Sequence, residues 1–252
     1  MLSKNTIKYI QSLRLKKFRQ KYRNFVAEGE KIALEILQGQ ELIIEGLYAL
    51  PEWLEKNSSF LTIDPSKIHA ISTKDLDRIS SLKTPNKVVA VCNIPTYSLE
   101  IPLLNNSLTL YLDGIQDPGN MGSILRIADW FGLPYVFCSS GCVDIYNPKV
   151  IQSSMGAFLR VQTLEKDIEG LKTQCPDLTI FAAVLDGLNV FSTTLPSKGL
   201  LVIGNEGKGI SPQAQAATTV RLTIPKGPKG GAESLNAAVA TGILCSALLN
   251  KG

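Results

Sequence analysis

The stretch LDGIQDPGNMGSILRIADWFG, residues 112–132, places polar side chains where the chain turns from an apolar run into a helical pattern. The apolar run ends in an acidic-Gly turn, and a loop of Pro, Gly and Asn follows it. Asn120 opens the helical pattern, and Arg126 is the single cation within it. Amide and guanidinium groups donate hydrogen bonds to hydroxyl and phosphate oxygens. We therefore predict a binding or catalytic site at this turn.

Two more glycine-bearing loops follow strand-like runs farther along the chain. The loop GNEGKGIS, residues 204–211, has some features of a phosphate-binding P-loop, but its spacing does not fit. Gly209 stands where a P-loop needs Ser or Thr, and Val202 stands where its first glycine belongs. The first loop likewise lacks the GxGxxG pattern of dinucleotide-binding folds. The sequence therefore favours neither an NTPase nor a standard dinucleotide-binding protein.

The three loops belong to an alternation of strands and helices in the second half of the chain. Strand-like apolar runs occupy residues 107–113, 135–138, 178–184, 199–203 and 220–224. Helical patterns lie between most of these runs, which indicates an α/β fold with a mostly parallel sheet covered on both faces. Ligands of such sheets bind outside the carboxyl ends of the strands, so the loops at 113–122, 185–189, 204–211 and 225–234 should carry the chemistry.

The first half of the chain predicts a smaller α/β unit. Its stretch RNFVAEGEKIALEILQ has helical spacing, and NKVVAVCNI, residues 86–94, is typical of a buried strand. The segment that follows has two prolines and no long apolar run, which indicates a linker. We predict a domain over residues 1–95, a linker over 96–106 and a second domain over 107–252.

The basic residues are concentrated at the N-terminus. Residues 1–27 contain eight Lys or Arg and no acid, leaving 18 of the 26 basic residues against 22 acidic ones in the rest of the chain. Aromatic residues are interleaved with these cations, as suits a phosphate backbone with exposed bases. A solvated helix face would show the same charge, so charge alone leaves both interpretations open. The candidate RNA-binding residues are Lys16, Lys17, Arg19, Lys21 and Arg23.

The cysteines and the histidine argue against a metal site. The five cysteines are scattered without a CxxC pair, and the single histidine, His69, is far from them in sequence. Zinc sites need clustered ligands, and a cysteine nucleophile needs a base. No apolar stretch approaches the roughly 20 residues that cross a bilayer, and the N-terminus lacks the apolar core of a signal peptide. We expect a soluble cytoplasmic protein with no metal and no membrane contact.

Three segments resemble the ordered motifs of the SpoU/TrmH family, which are S-adenosylmethionine-dependent RNA ribose 2′-O-methyltransferases of the SPOUT class. They are NMGSILRIADWFG (120–132), LVIGNEGKGIS (201–211) and IPKGPKGGAESLNAAVATGIL (224–244). The first half is similar to the family's N-terminal substrate-binding domain in residues 17–37 and 71–91. That domain is an α/β unit like ribosomal protein L30e and is associated with RNA binding.

The resemblance implies a specific fold, cofactor and site. The second domain should be a parallel sheet whose C-terminal end is tucked into a deep trefoil knot, an exception to the un-knotted rule. S-adenosylmethionine would lie bent in the knot, and the protein would be a homodimer. The residues that match the family's cofactor contacts are Gly204, Ile224 and Leu235. The residues that match its catalytic polar set are Asn120, Arg126, Glu206, Ser234 and Asn236.

The third motif departs from the family pattern. After Pro225 the family usually has Met, and its Ser follows seven residues later. Here Lys226 replaces Met, and Ser234 lies nine residues beyond Pro225, with GPKGG in between. A longer, cationic loop should change the cofactor lid or the RNA contact.

The chemistry of a ribose hydroxyl constrains these roles. The hydroxyl must lose its proton as the methyl carbon arrives, so catalysis is chiefly orientation and proton handling. The family's proposals give the counterpart of Arg126 the role of base. Arginine stays protonated in ordinary surroundings, so we favour a bidentate clamp on the phosphate beside the target ribose. Asn120 would hold Arg126 or the hydroxyl, and Glu206 could pair with Arg126.

The last stretch, SLNAAVATGILCSALL (234–249), predicts a helix with Ser234 as its N-cap. It is apolar nearly throughout, so we expect it to be buried on every side, in part against a partner subunit. Ribosomal RNA is the favoured substrate. The alternatives are a tRNA ribose methyltransferase and a non-catalytic RNA-binding protein with a methyltransferase-like fold.

Overall fold

Two β-sheets organise the chain in the computed structural model, which describes residues 1–39 and 42–250. A first unit comprises residues 1–96 and 144–159, and a second comprises 97–143 and the residues from Arg160 onward. The strands are β1 (Asn24–Glu28), β2 (Ile44–Ala49), β3 (Ile68–Ala70), β4 (Val88–Asn93), β5 (Leu108–Asp113), β6 (Tyr135–Cys138), β7 (Gln162–Glu165), β8 (Ile180–Asn189), β9 (Gly199–Gly204) and β10 (Val220–Thr223). The α-helices are α1 (Lys4–Ser12), α2 (Lys16–Tyr22), α3 (Glu30–Gly39), α4 (Pro51–Lys56), α5 (Thr73–Ile79), α6 (Ile101–Asn106), α7 (Pro118–Trp130), α8 (Pro148–Ser154), α9 (Ile168–Gln174), α10 (Pro212–Ala217) and α11 (Ala237–Leu249).

The first unit is built on a four-stranded sheet in the order β1-β4-β2-β3. Strand β4 is the predicted strand over 86–94, and it pairs antiparallel with both β1 and β2. The segment 144–159 joins this unit because it packs on β1. The Phe25 ring lies 4.7 Å from that of Tyr146 and 5.8 Å from that of Phe158, measured between centroids. No local pattern in the sequence indicates that residues 144–159 belong to the first unit rather than the second.

The second unit is built on a six-stranded sheet in the order β10-β8-β9-β5-β6-β7, with every neighbouring pair parallel. This confirms the predicted α/β class and all five strand-like runs. The near-continuous apolar runs suit strands that are buried on both faces. Strand β7, with the sequence QTLE, was not predicted because its polar residues lie half-exposed at the sheet edge. The trefoil knot stays a prediction.

Two local predictions need correction or refinement. The final helix begins at Ala237 and is capped by Asn236, not by Ser234, because the Asn236 side chain accepts hydrogen bonds from the amides of Ala238 and Val239. The helix is not buried on every side in the single chain, since Val239 is 50% exposed. The predicted linker over 96–106 contains helix α6. Within the described residues, no helix is long and apolar enough to cross a membrane.

Arg19 is an interior residue, contrary to its predicted place among the RNA-binding cations. Only 2% of it is exposed. Its Nε and Nη2 donate to Asp144 Oδ2 at 2.8 and 2.5 Å, and its Nη1 donates to the Leu13 carbonyl at 2.7 Å. Helix geometry explains the difference. Lys17 and Lys21 are four residues apart and share one face, whereas Arg19 lies between them in sequence and points the other way.

Replacing Arg19 should therefore cost stability. Arg19→Ala leaves the Asp144 carboxylate, only 16% exposed, without its cation, and breaking a largely buried ion pair typically lowers the free energy of unfolding by about 3–5 kcal/mol. Urea denaturation followed by circular dichroism measures this. Lys17 lies two residues before Arg19 in the same helix but is exposed. Lys17→Ala should therefore change the free energy of unfolding by no more than about 0.5 kcal/mol. Equal stability of the two variants would contradict the structural role of Arg19.

Candidate active site

The carboxyl ends of two neighbouring strands bring the first and second loops together. Strands β5 and β9 pair in parallel so that Asp113 lies opposite Gly204, each the last residue of its strand. Asp113 Oδ2 accepts a hydrogen bond from the Ser211 amide at 2.6 Å, which ties the far end of the second loop to the first strand. Ser211 in turn caps helix α10. Two of the loops that were predicted to carry the chemistry thus start at the same edge of the sheet.

Asn205 connects the first and second loops, a role that the sequence analysis missed. Its Nδ2 donates to the Gly114 carbonyl at 2.8 Å. Its Oδ1 accepts from the amides of Gly207 and Lys208 at 2.9 and 3.0 Å. The only signal in the sequence was an Asn directly after a strand, where Asn side chains often bond to the backbone two or three residues ahead.

Gly204 is required by the tight return of the second loop. A Cβ atom at this position would lie 2.5 Å from the Gly209 carbonyl carbon and 2.7 Å from the Ile210 nitrogen. Both atoms belong to the backbone, so they cannot move aside as a flexible side chain would. Glycine therefore keeps the backbone of the loop folded against the end of β9.

Asn120 joins all three loops. Asp117 caps helix α7 and accepts from the Asn120 amide at 2.8 Å, which fixes Asn120 in the first turn. The Asn120 Nδ2 donates to Glu206 Oε1 in the second loop. Its Oδ1 accepts from the Asn236 Nδ2 at 2.8 Å at the end of the third loop. Three of the predicted catalytic residues are therefore in direct contact.

Arg126 is not part of this hydrogen-bonded group. It lies six residues beyond Asn120 on α7, which is about 9 Å farther along the axis and about a third of a turn away. It is exposed, and it makes no ion pair or hydrogen bond to another of the described residues. The expected pairing of Arg126 with Glu206 is not formed, and Glu206 Oε1 accepts from Asn120 instead. The guanidinium is accordingly available to a ligand.

The remaining predicted residues lie along the third loop. Ser234 is exposed and lies two positions before the cap of α11. Ile224 follows β10 and is half-buried, and Leu235 is 47% exposed. A Cβ atom at Gly227 or Gly231 would meet no atom within 4 Å, so space is open beside this loop.

A cysteine pair lies beneath the first loop. Hydrogen bonds, first from Cys138 and then from Ser139 and the amides of Ile115 and Gly114, lower the pKa of Cys142 to about 7 in spite of its burial. The Leu112 carbonyl lies 3.1 Å from the Cys142 sulfur and accepts a hydrogen bond from the thiol form. This one bond favours the thiol, whereas the several donors favour the thiolate. The pKa of Cys138 is raised well above its ordinary value by its bond to Cys142 and by burial.

Among residues 1–39 and 42–250, no three His, Cys, Asp or Glu side chains are grouped closely enough to hold an ion.

Both halves of the chain match known families. Residues 107–246 match the SpoU rRNA Methylase family, and residues 4–90 match the MRM3-like substrate binding domain. The 23S rRNA (guanosine(2553)-2'-O)-methyltransferase RlmP of Bacillus subtilis is 27% identical over 245 residues, which cover 94% of this chain and 93% of that protein.

Solved structures give the same result for the fold. A protein of the TrmH family of RNA methyltransferases from Porphyromonas gingivalis has a TM-score of 0.89 and 37% identity, with 100% of both chains covered. The SpoU methyltransferase AviRb from Streptomyces viridochromogenes, in complex with AdoMet, has a TM-score of 0.84 over 99% of this chain and 98% of that one. At 21% identity, the second likeness concerns the fold alone.

The low pKa of Cys142 predicts selective alkylation. At pH 8 iodoacetamide should label Cys142 first, because the thiolate is the nucleophile and this group is deprotonated above about pH 7. Burial raises the pKa of both Cys92 and Cys245 to about 12, so these thiols should react slowly. The rate at Cys142 should rise through about pH 7 and level off above it. Peptide mass spectrometry after timed exposure measures each site, and Cys142→Ser should remove the fast phase. Labelling of Cys142 no faster than Cys92 would contradict the assignment.

Proposed function

The chain belongs to the SpoU rRNA methylase family, and we propose that it transfers a methyl group from S-adenosylmethionine to a ribose 2′-hydroxyl of ribosomal RNA. The observation that carries the proposal is the pair of hydrogen bonds by which Asn120 joins Glu206 and Asn236. These residues come from three loops, and each matches the polar set of this family. A protein that only bound RNA would not need the three loops to meet at one point.

The carboxyl edge of the second sheet fits the proposed cofactor. An adenosine needs apolar surface for its ring and backbone groups for its polar atoms. We propose that Leu235 and Ile224 supply the apolar surface, and that Gly204 and the glycine-rich segment 227–231 leave backbone groups accessible. When bound, S-adenosylmethionine supplies a methyl group that is already activated by its sulfonium charge.

The roles of the side chains follow from their contacts. Asn120 uses its amide to hold Glu206 and Asn236, so it acts as a positioning residue rather than as a ligand of Arg126. The exposed guanidinium of Arg126 would clamp the phosphate beside the target ribose, since its planar fork matches phosphate oxygens in a bidentate manner. Glu206 and the Ser234 hydroxyl, both exposed, would orient the ribose hydroxyl and its proton.

The first unit would supply RNA affinity. Lys16, Lys17, Lys21 and Arg23 are all exposed, and Lys17 and Lys21 lie 5.0 and 5.3 Å from the ring centroids of Phe18 and Tyr22. Ribosomal RNA is favoured over transfer RNA because the matched family and the B. subtilis relative are both named for rRNA. We propose that the reaction takes place in the cytoplasm.

A homodimer is part of the proposal. Helices α7 and α11 pack against each other and leave apolar side chains uncovered in the single chain. Trp130 on α7 is 84% exposed, and Val239 on α11 is 50% exposed. Large apolar groups on adjoining elements are typical of a surface that a second copy covers.

Replacing Arg126 tests the site directly. Arg126→Ala should lower methyl transfer to in vitro transcribed rRNA by about a hundredfold or more, because the lost orientation is worth several kcal/mol. Affinity for S-adenosylmethionine, measured by calorimetry, should stay nearly unchanged. Arg126→Lys keeps the charge but loses the planar fork, so it should recover only a small part of the rate.

The pH dependence of the methyl-transfer rate distinguishes two roles of Arg126, a clamp on the phosphate and a base that removes the hydroxyl proton. If Arg126 is a clamp, the Lys variant keeps the shape of the pH–rate profile and lowers only its height. A titration near neutrality that disappears in the Lys variant would show that Arg126 is the base. Lys198→Ala is a control, since this exposed residue lies at the amino end of β9. Near-normal turnover by Arg126→Ala would make the arginine structural and the site assignment wrong.

Salt dependence tests the RNA-binding face. For single-stranded RNA, the logarithm of the binding constant falls linearly with the logarithm of the salt concentration. Each phosphate contact contributes about 0.7 to the magnitude of this slope. Replacing Lys16, Lys17 and Lys21 together by Ala should therefore reduce the slope by roughly 2. The matched control replaces three exposed lysines on other parts of the first unit, Lys56, Lys74 and Lys83. Equal slopes for the two triple variants would place RNA recognition elsewhere.

A further inference from the structure

A polar pocket of about 380 Å³ lies at one end of the first sheet. It is formed where β1 begins, where β4 ends and where β2 begins. Its lining consists of Tyr22, Arg23, Asn24, Glu45, Asn93 and Ile94. Neither the family resemblance nor the candidate active site accounts for this pocket.

The strand ends give the pocket a rigid floor. Asn24 and Asn93 are paired across β1 and β4, and the Ile94 amide donates to the Arg23 carbonyl at 2.7 Å. With its amide turned to accept from the Tyr9 hydroxyl, Asn24 donates to Asn93 Oδ1 at 2.9 Å. The register of β2 against β4 shifts between Ile44 and Gly46, so Glu45 at the rim falls outside the regular pairing.

One wall of the pocket is aromatic and cationic. The Tyr22 ring is 41% exposed, packs edge-on against Tyr9 at 5.2 Å and lies nearly parallel to Phe18 at 6.2 Å. The Lys21 ammonium lies 5.3 Å from the centroid of the Tyr22 ring. A flat ring beside flexible cations is the arrangement with which proteins stack single-stranded bases and hold the adjoining phosphates.

Arg23 occupies a backbone position that favours glycine. It ends helix α2 in the left-handed region with φ of 53°, where glycine is the usual residue. Its Nη2 donates to the exposed Thr96 Oγ1 at 2.8 Å, which leaves further guanidinium donors beside the pocket. The backbone conformation by itself favours glycine over arginine at this position. We therefore look for the role of Arg23 in its side chain, as a donor to a ligand of the pocket.

We propose that this pocket binds one unstacked base of the RNA. Tyr22 packs against the base, Arg23 donates to its ring nitrogen or carbonyl oxygen, and Glu45 accepts from its N–H groups. Lys21 moves from the Tyr22 ring to the neighbouring phosphate. This inference rests on RNA being the substrate of the proposed function, and it adds a base-binding subsite outside the methyl-transfer site.

The test compares two fluorescein-labelled oligonucleotides by anisotropy. One is a single-stranded RNA dodecamer of mixed sequence, and the other has the same ribose-phosphate backbone without bases. The full chain should bind the dodecamer about tenfold more tightly than the abasic strand, as stacking of one base allows. Tyr22→Ala should lose this tenfold preference while its affinity for the abasic strand stays the same.

Arg23→Gly separates ligand binding from folding. Glycine suits the left-handed backbone, so this variant should melt at the same or a higher temperature than the parent chain. It should still lose about tenfold in affinity for the dodecamer and less than threefold for the abasic strand. The control Lys74→Ala, exposed on α5 outside the pocket, should leave the affinity for both strands unchanged.

The outcomes separate this inference from the proposed function. Equal affinity of the full chain for both strands, or equal losses for both strands in Tyr22→Ala and Arg23→Gly, would overturn the base pocket and leave only backbone contacts. Methyl transfer to rRNA is measured separately on the parent chain. Its result tests the proposed function independently of whether the pocket binds a base.

Discussion

The amide of Asn120 connects three loops that are far apart in sequence, and the candidate site exists only while these loops meet. A carboxamide offers a donor and an acceptor on the same planar group. Here the donor faces the Glu206 carboxylate and the acceptor faces the Asn236 amide. An aspartate at position 120 would place two carboxylates in contact, and a leucine would remove the bonds to Glu206 Oε1 and to Asn236 Nδ2. The chemistry of one side chain therefore determines how the second and third loops are placed.

The parallel sheet makes this contact possible. Strands β5 and β9 end side by side, so the loops after them start from the same place, and Asp113 and Asn205 hold their backbones there. The third loop departs from the family pattern in length and charge, but its end is fixed. Asn236 caps α11 and also bonds to Asn120, so the additional residues are taken up before Ser234. The longer loop thus preserves the contacts of Asn120 with Glu206 and Asn236 and leaves Lys226 and Lys229 exposed.

The sequence predicted those features that depend on local patterns. Apolar runs identified five strands of the second sheet, and the strand ends identified three loops of the candidate site. The fourth predicted loop, 185–189, lies within β8 instead. The errors concern features that depend on distant contacts. Arg19 has the same charge as its exposed neighbours, and only the fold brings Asp144 to it. Ser and Asn are both good N-cap residues, so the sequence does not distinguish Ser234 from Asn236. In the structure Asn236 is the cap, and the same side chain bonds to the distant Asn120. Nothing local indicated that Asn120, rather than Arg126, would engage Glu206 or that residues 144–159 belong with the first sheet.

Whether the chain methylates ribose is measured by mass spectrometry of nucleosides from rRNA that has been incubated with the protein and S-adenosylmethionine carrying a trideuterated methyl group. We predict one labelled 2′-O-methylnucleoside, with the label on the ribose, formed by the parent chain and lost in Asn120→Ala. Label on a base, or no label in rRNA that lacks the modification beforehand, would contradict the account.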